Sequence, residues 1–293
     1  MREILGTTQV LGVIGYPVRH SFSPPMHNAA LEALDLDFCY VAFEVEPVRL
    51  SAAIEGMKAL GIVGLNVTIP HKETLLSLVD EIGEEARLIG ALNTLYFDGQ
   101  RLYGDNTDGR GFVASLRAGG EDPQGKQVVV LGAGGSARAV TVALARAGAK
   151  EIVLANRTQV RAERLAEMLN TRLRPGVARV VQWQSAQLQY ELGRADLIVN
   201  TTSVGMHPQE EACPVADLPP LLPEALVYDI IYNPLETVFL RRAMAQGART
   251  MNGVEMLVYQ GALSFQLWTG REPPIEVMRE ALLRELQVRQ KRG

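Results

Sequence analysis

The most strongly patterned stretch of the chain is an apolar run that is followed by glycines and then by a helical repeat. Residues 127–131 are mostly valine and leucine, which is typical of a strand buried on both faces of a parallel sheet. Beyond a glycine cluster, apolar residues recur at helical spacing until Gly148. The pattern therefore predicts a strand, a tight turn and a helix in direct succession.

The residues upstream of this stretch repeat the alternation of strand and helix patterns. Apolar runs predict strands at 9–15, 38–45 and 62–67 and a hairpin over 92–103 that turns at Asp98-Gly99. Helical spacing predicts a helix entered at Ser23-Pro24, a second one from Pro47 to Leu60, and a third one from Pro70 that turns Leu75, Leu76, Leu78, Val79 and Ile82 inward. This alternation predicts a small, mainly parallel sheet with helices on both faces.

The remaining residues predict a second parallel sheet and two final helices. Further strands are expected at 151–155, 179–183, 197–201 and 226–231, and amphipathic helices at 254–268 and 274–287. A segment rich in glycine and charge, residues 104–125, marks a domain junction. We therefore predict a two-domain α/β protein, with domains at 1–108 and 109–252, whose last helices, 253–293, pack back on the first domain.

The glycine turn has the spacing of a dinucleotide-binding motif. Gly132, Gly134 and Ala137 fit G-x-G-x-x-A, in which the first glycine permits the turn and the second lets the backbone approach a pyrophosphate. The N-terminus of the following helix offers free N–H groups to the phosphates. A tight turn that binds no ligand can have the same spacing. The residues at the end of the next strand therefore have to decide between a dinucleotide-binding turn and an unliganded one.

The end of the next strand favours NADP over NAD. An NAD-binding fold usually places an acidic residue about 20 residues beyond the glycines, where it holds the ribose hydroxyls. Here that place carries Asn156-Arg157-Thr158 and no acid. Because an arginine can pair with a 2′-phosphate and stack on adenine, we predict NADP as the cofactor.

Composition and charge exclude several classes of protein. The chain has 293 residues, 47% hydrophobic residues and a net charge of -4, so it shows no basic footprint for nucleic acid. We find no apolar run long enough to span a membrane, no signal-peptide core and no metal-ligand spacing around Cys39 and Cys213. We expect a cytoplasmic, metal-free protein that acts on a small molecule.

Candidate chemistry lies at the end of the third strand. Asn66, Thr68 and Lys72 follow that strand at the sheet edge where open α/β sheets bind ligands. In the first turn of the predicted third helix, Lys72 would face the positive end of the helix dipole, which favours release of its proton. A lysine of this kind can act as a general acid or base.

Two further groups extend this candidate site. Asp105 and Asp108 lie at the domain junction, where either of them could cap a turn or hold Lys72 charged and oriented. Ser21 and Ser23 could turn two hydroxyls towards a polyhydroxy or carboxylate ligand, although Ser23 also suits a helix cap.

These motifs together resemble the shikimate dehydrogenase family of NADP-dependent enzymes. The matching segments run in the family's order over nearly the whole chain: 17–24, 66–72, 90–94, 104–109, 132–137, 156–158, 200–206, 229–234 and 253–261. The resemblance implies that residues 1–108 bind the substrate and that residues 109–252 bind NADP. It also implies that the last helices rejoin the first domain.

The resemblance implies a role for each candidate residue. Lys72 and Asp108 would be the catalytic pair. The substrate would be bound by Ser21, Ser23, Asn66, Thr68, Lys72, Asn93, Asp108, Tyr232 and Gln260. The cofactor would be bound by Gly132, Ala133, Gly134, Gly135, Ser136, Ala137, Asn156, Arg157, Thr158, Thr201, Met206, Ile230 and Gly253.

The reaction that the resemblance implies is the reversible reduction of 3-dehydroshikimate to shikimate, by a monomer or a homodimer. One alternative is a quinate/shikimate dehydrogenase with broader use of substrates and cofactors. The small hydroxyls of Ser21 and Ser23 and the absence of an acid near Arg157 argue against it. Another alternative is a catalytically idle NADP-binding sensor, which would have no need of Lys72 and Asp108.

Overall fold

The computed structural model describes residues 3–290, which divide into two compact units. The first unit contains the residues up to Thr107 and those from Val258 onward, and the second is Asp108–Leu257. Each unit contains one six-stranded sheet. Within the described residues, none of the helices is both long and apolar enough to cross a membrane.

The first unit is built on a mixed sheet with the strand order β2-β1-β3-β5-β6-β4. Strand β5 runs antiparallel to β3 and β6, and the other three pairs are parallel. The elements in chain order are β1 Gln9–Gly15, α1 Ser23–Ala33, β2 Phe38–Glu44, α2 Leu50–Ala59, β3 Gly64–Val67, β4 Glu81–Ile82, α3 Glu84–Ile89, β5 Thr94–Asp98 and β6 Arg101–Asp105. The predicted hairpin is confirmed as β5–β6, but Asp98 pairs with Arg101, so the turn lies one residue later than expected.

The predicted third helix from Pro70 is wrong. Residues 70–73 form turns, and only one 3₁₀ turn follows at Thr74–Ser77. The Asp80 N–H donates to the Leu102 carbonyl at 2.9 Å, and β4 then pairs with β6. These sheet hydrogen bonds use backbone groups that a continued helix would need, so the segment does not become an α-helix. The apolar residues still reach the core, since Leu75 is fully buried and Leu76, Leu78, Val79 and Ile82 pack against the same cluster.

The prediction that Ser23 caps the first helix is also wrong. Helix α1 begins at Ser23 itself, and the cap position belongs to Phe22, whose side chain makes no capping hydrogen bond. The first helical turn contains Pro24, which has no N–H to satisfy, so the helix starts without a side-chain acceptor at the cap. The Ser23 hydroxyl is therefore not used as a cap.

The second unit is a fully parallel sheet with the strand order β12-β11-β10-β7-β8-β9. Its elements in chain order are α4 Asp108–Ala118, β7 Gln127–Leu131, α5 Gly135–Arg146, β8 Glu151–Asn156, α6 Gln159–Arg172, β9 Ala178–Gln182, α7 Ala186–Leu192, β10 Leu197–Asn200, β11 Leu226–Asp229, α8 Val238–Ala245 and β12 Arg249–Met251. From β7 the chain winds outward to β9 and then returns to β10 on the other side of β7. The carboxyl ends of β7 and β10 thus form a topological switch point, where doubly wound sheets bind ligands.

Two helices complete the chain, α9 Val254–Thr269 and α10 Ile275–Gln290. The indole N–H of Trp268 on α9 donates to the Leu95 carbonyl at 2.9 Å, and the Trp268 ring lies so close to Gly64 that a Cβ atom there would be 2.1 Å away from it. Helix α10 packs on α1. The prediction that the C-terminal helices return to the first domain is confirmed.

Candidate active site

A buried polar network joins the helix α1 start to strand β3 in the first unit. The Tyr40 hydroxyl donates to Asn66 Oδ1 at 2.8 Å and lies beside the Ser23 side chain. Burial raises the pKa of Tyr40 well above its usual value, so the hydroxyl keeps its proton. Asn66 Nδ2 in turn donates to the Ser264 hydroxyl at 3.0 Å. Tyr40 and Ser264 were missed in the sequence, because they form the network only through contacts distant along the chain.

A second network surrounds Asn93, which is 2% exposed. Asn93 Oδ1 accepts the backbone N–H of Thr107 at 2.8 Å, and Asn93 Nδ2 donates to the Thr107 hydroxyl at 2.9 Å and to Gln260 Oε1 at 3.3 Å. Thr94 donates to Asn93 Oδ1 and lies 2.7 Å from the Ser264 hydroxyl. Of the residues predicted to bind the substrate, Asn66, Asn93 and Gln260 are thus brought into one hydrogen-bonded set.

Lys72 lies in the turn after β3 and is half-buried. Its carbonyl accepts the Leu92 N–H at 2.8 Å, which ties the turn to the segment that carries Asn93. His71 is 1% exposed and lies with Nε2 2.7 Å from the Val45 carbonyl, so it anchors the same turn. Because no α-helix follows Pro70, Lys72 does not face an α-helix dipole, and that prediction is wrong.

The remaining substrate-binding candidates have separate environments. Thr68 is half-buried next to β3, and its carbonyl accepts the His71 N–H at 3.0 Å. The Ser21 hydroxyl accepts the Ser23 N–H at 3.2 Å. Asp108 is 8% exposed, is the first residue of α4 and directly follows Thr107 in the chain. Tyr232 is half-buried in the loop after β11 of the second unit.

The glycine turn has the geometry that a pyrophosphate-binding loop requires. Gly132 has φ = +117°, and a Cβ atom there would lie 2.4 Å from the Thr201 hydroxyl oxygen. Thr201 itself donates to the Leu131 carbonyl at 2.7 Å, which joins β7 and β10 at the switch point. A Cβ at Gly134 would meet nothing within 4 Å, so the backbone faces open space just before α5 begins. These residues fit a dinucleotide phosphate.

The other predicted cofactor-binding residues lie in the glycine turn after β7 and at the end of β8. Ala133, Gly135 and Ser136 are partly accessible around the start of α5, whereas Ala137 is fully buried against the sheet, as close helix packing requires. Asn156 ends β8 and donates to the Thr158 carbonyl at 2.8 Å. Arg157 lies between them and is exposed, which leaves its guanidinium accessible to a 2′-phosphate.

Asp229 organises the other end of the proposed cofactor site. Its carboxylate is fully buried and accepts hydrogen bonds from Asn200 Nδ2 at 3.0 Å, the Ile231 N–H at 3.1 Å and the Thr237 hydroxyl at 2.8 Å. These bonds connect the loops after β10 and β11. The loops contain three of the predicted cofactor ligands, and a fourth lies before α9: Thr201, Met206, Ile230 and Gly253.

Gly253 shows why no other residue suits its position. A Cβ atom there would lie 1.9 Å from the Ile230 carbonyl oxygen, and the Gly253 N–H donates to the Ile231 carbonyl at 2.9 Å. Met206, in contrast, is 45% exposed, so its side chain is available to a ligand. Sequence reasoning missed that Asp229 binds these loops together, since its three partners are spread from residue 200 to residue 237.

Asp229 also leads to a prediction about stability and pH. Burial raises the pKa of Asp229 from 3.8 to about 6. The folded protein thus holds this proton more tightly than the unfolded chain, so the contribution of Asp229 to the free energy of unfolding is complete below about pH 4 and is lost as the pH rises through about 6. The expected loss is about 3 kcal/mol over the full transition, of which on the order of 2 kcal/mol falls between about pH 4 and about pH 7.

Urea unfolding of the wild type and of Asp229→Asn, from about pH 4 to about pH 7, measures this contribution. The asparagine keeps an acceptor for Asn200 and Ile231 but cannot ionise. The variant should therefore gain on the order of 2 kcal/mol relative to the wild type as the pH rises. A difference between the two proteins that stays constant with pH would contradict the assignment.

Among residues 3–290 there is no group of three or more histidine, cysteine, aspartate or glutamate side chains that could hold a metal ion. Both cysteines of the chain are free and half-buried. The polar networks described above therefore offer hydroxyl, amide, lysine and carboxylate groups as the available chemistry.

Comparison with known families covers most of the chain. Residues 13–95 match the shikimate dehydrogenase substrate binding domain, residues 115–208 match the shikimate/quinate 5-dehydrogenase family and residues 253–283 match the shikimate 5′-dehydrogenase C-terminal domain. A curated relative, the shikimate dehydrogenase (NADP(+)) of Methanopyrus kandleri, is 52% identical over 281 residues, which are 95% of this chain and 96% of the relative.

Solved structures are similar over the same length. The shikimate 5-dehydrogenase of Listeria monocytogenes in complex with shikimate and NAD has a TM-score of 0.91 at 36% identity, and the match covers 96% of this chain and 99% of that one. The shikimate 5-dehydrogenase of Thermus thermophilus in complex with NADP(H) and shikimate has a TM-score of 0.84 at 39% identity, and the match covers 94% of this chain and 99% of that one.

Proposed function

The chain belongs to the shikimate dehydrogenase family, and from that premise we propose that it reduces 3-dehydroshikimate reversibly to shikimate with Lys72 and Asp108 as its catalytic pair. It is an NADP-dependent oxidoreductase. The observation that carries the proposal is the set of buried amide and hydroxyl groups around Asn66 and Asn93, which is tied through Leu92 to the turn that holds Lys72.

Lys72 supplies the proton in this proposal. NADPH, when bound, provides the hydride that reduces the ketone carbon of the substrate. Lys72 donates a proton to the oxygen of that ketone, and its positive charge stabilises the negative charge that develops there. Asp108 orients the ammonium group of Lys72 and accepts a hydrogen bond from the neighbouring substrate hydroxyl. In the reverse direction Lys72 takes the proton back.

The other polar residues bind and orient the substrate. The hydroxyls of Ser21 and Ser23 hold its carboxylate. Its ring hydroxyls are bound by Thr68, Asn93, Asp108 and Gln260, and Asn66 and Tyr232 are further substrate-binding residues. The Tyr40–Asn66 hydrogen bond supports the assignment of Asn66, because it fixes that side chain before any ligand binds. Such preorganisation lowers the cost of binding in the reactive orientation.

The cofactor assignment follows the switch point of the second sheet. The residues from Gly132 to Ala137 hold the pyrophosphate, and Asn156, Arg157 and Thr158 hold the 2′-phosphate. Met206 and Gly253 lie near the nicotinamide, and Thr201 and Ile230 are further cofactor-binding residues. A cytoplasmic location and a monomeric or homodimeric state remain predictions from the sequence.

Asp108→Asn tests the catalytic pair. The asparagine keeps the size of the side chain but removes the charge that orients Lys72, so kcat for shikimate oxidation should fall roughly 10- to 100-fold, the range expected for the loss of one charge-assisted hydrogen bond. Initial rates at saturating NADP measure it.

The matched control is Asp105→Asn, three residues earlier. Asp105 Oδ1 accepts the Asn106 N–H, which an asparagine can also do, so kcat should stay within about twofold of the wild type. Equal losses in the two variants would refute a specific role for Asp108.

A further inference from the structure

The last turns of α10 contact the segment that carries Ser21 and Ser23. Arg289 donates from Nη1 to the His20 carbonyl at 2.6 Å and from Nη2 to the Ser21 carbonyl at 3.2 Å. Its guanidinium also lies 4.2 Å from the centroid of the Phe22 ring. One side chain thus makes contacts with three consecutive residues.

The sequence of α10 directs Arg289 to this place. Met278, Leu282 and Leu286 recur every four residues and are at most 1% exposed, so they define the face that packs on α1. Arg289 follows Leu286 by three residues and therefore continues the same face. Glu285 Oε1 accepts from Arg289 Nε at 2.7 Å and holds the guanidinium plane in position.

The two carbonyls lie just outside helix α1, which begins at Ser23 with Phe22 at its cap position. A carbonyl before the cap position accepts no intrahelical hydrogen bond, so its partner has to be a side chain or water. The guanidinium of Arg289 supplies the donors for both carbonyls, in the segment that carries the two serine hydroxyls.

We propose that Arg289 is a positioning residue for the substrate carboxylate: it fixes the Ser21–Ser23 segment so that both hydroxyls point to one place. This inference rests on the proposed function, in which those hydroxyls hold the carboxylate of shikimate. Arg289 itself does not touch the substrate in this arrangement. Its effect is transmitted through the backbone of residues 20–22.

The test compares shikimate with its methyl ester, which lacks the carboxylate charge. For Arg289→Ala we expect KM for shikimate to rise about tenfold with kcat within about threefold and KM for NADP unchanged. With the methyl ester, kcat/KM should fall by no more than about twofold relative to the wild type. Arg289→Lys keeps the charge and one of the two carbonyl bonds, so it should lose less for shikimate than the alanine variant.

Arg284→Ala is the matched control, because Arg284 lies on the same helix α10 and is exposed. It should leave all these constants unchanged. Equal losses with shikimate and the methyl ester, or a parallel rise in KM for NADP, would show that Arg289 only stabilises the fold and would overturn the inference. So would an unchanged KM for shikimate in Arg289→Ala and Arg289→Lys. A wild type that binds NADP but oxidises no shikimate would instead overturn the proposed function, and this inference with it.

Discussion

Lys72→Ala should lower kcat for shikimate oxidation roughly 100- to 10,000-fold, which is the usual contribution of general acid–base catalysis. Alanine removes both the transferable proton and the positive charge beside the developing alkoxide. NADPH affinity should stay nearly intact, because Lys72 is not among the residues predicted to bind the cofactor. Steady-state kinetics with shikimate and a fluorescence titration with NADPH measure the two quantities separately.

Lys58→Ala is the control for this experiment. Lys58 is one of the few other lysines of the first unit, and it pairs with Glu55 on the surface of α2 at 3.6 Å. Its replacement should leave kcat within about twofold of the wild type. A Lys72→Ala protein with near-normal kcat would remove Lys72 from the reaction, whatever the control shows.

Arg157→Ala should weaken NADPH binding about 100-fold and leave the binding of NADH little changed. The physical reason is the loss of charge-assisted hydrogen bonds to the 2′-phosphate, each of which is worth about 1.5–3 kcal/mol. NADH has no such phosphate, so removal of the guanidinium takes from it only the weaker stacking on adenine. The dissociation constants of both nucleotides, measured at one ionic strength, test the prediction.

Arg164→Ala provides the comparison for Arg157. Arg164 is also exposed and lies more than one turn into α6, the helix that follows Arg157, and it is not among the residues predicted to bind the cofactor. It should change both dissociation constants by less than about twofold. An Arg157→Ala protein with unchanged NADPH affinity would show that the 2′-phosphate binds elsewhere.

The parallel sheets were predictable because their strands carry the signal within a few residues. Residues 127–131 are apolar in all but the first position and end at glycines, and the structure has β7 over these same residues, with Val128, Val130 and Leu131 fully buried. The C-terminal helices were predictable for the same reason, since their apolar stripe has a helical period. In both places local pattern and tertiary burial agree.

The segment after Pro70 shows where local pattern is insufficient. Leu75, Leu76, Leu78 and Val79 suit a helix and also suit an irregular segment that covers the core. The irregular segment is favoured over the helix by Asp80, whose backbone N–H and side-chain carboxylate both hydrogen-bond to the backbone of Leu102, 22 residues away in the sequence. No window around Pro70 contains that information. Tertiary hydrogen bonds therefore overrode the helical spacing.

The residues of the candidate site also fall into two classes, those with a local signal in the sequence and those without one. Lys72, Asp108 and the glycine turn could be predicted from the sequence as candidate site residues, because their residue types stand directly after strands or at a junction. Tyr40, Ser264 and Arg289 were not found, because each acts through a partner more than 20 residues away. Asp229 belongs with them, since its importance lies in burial and in three donors that the sequence does not show to be neighbours.

The central claim is tested most directly by initial rates of oxidation of shikimate and quinate, each with NADP and with NAD. We predict a rate confined mainly to shikimate with NADP, in agreement with the hydroxyls of Ser21 and Ser23 and with Arg157. Comparable turnover of quinate or use of NAD would contradict this specificity and favour an enzyme of broader range. Folded protein that binds NADP but turns over none of the four mixtures would contradict catalysis itself and favour a sensor.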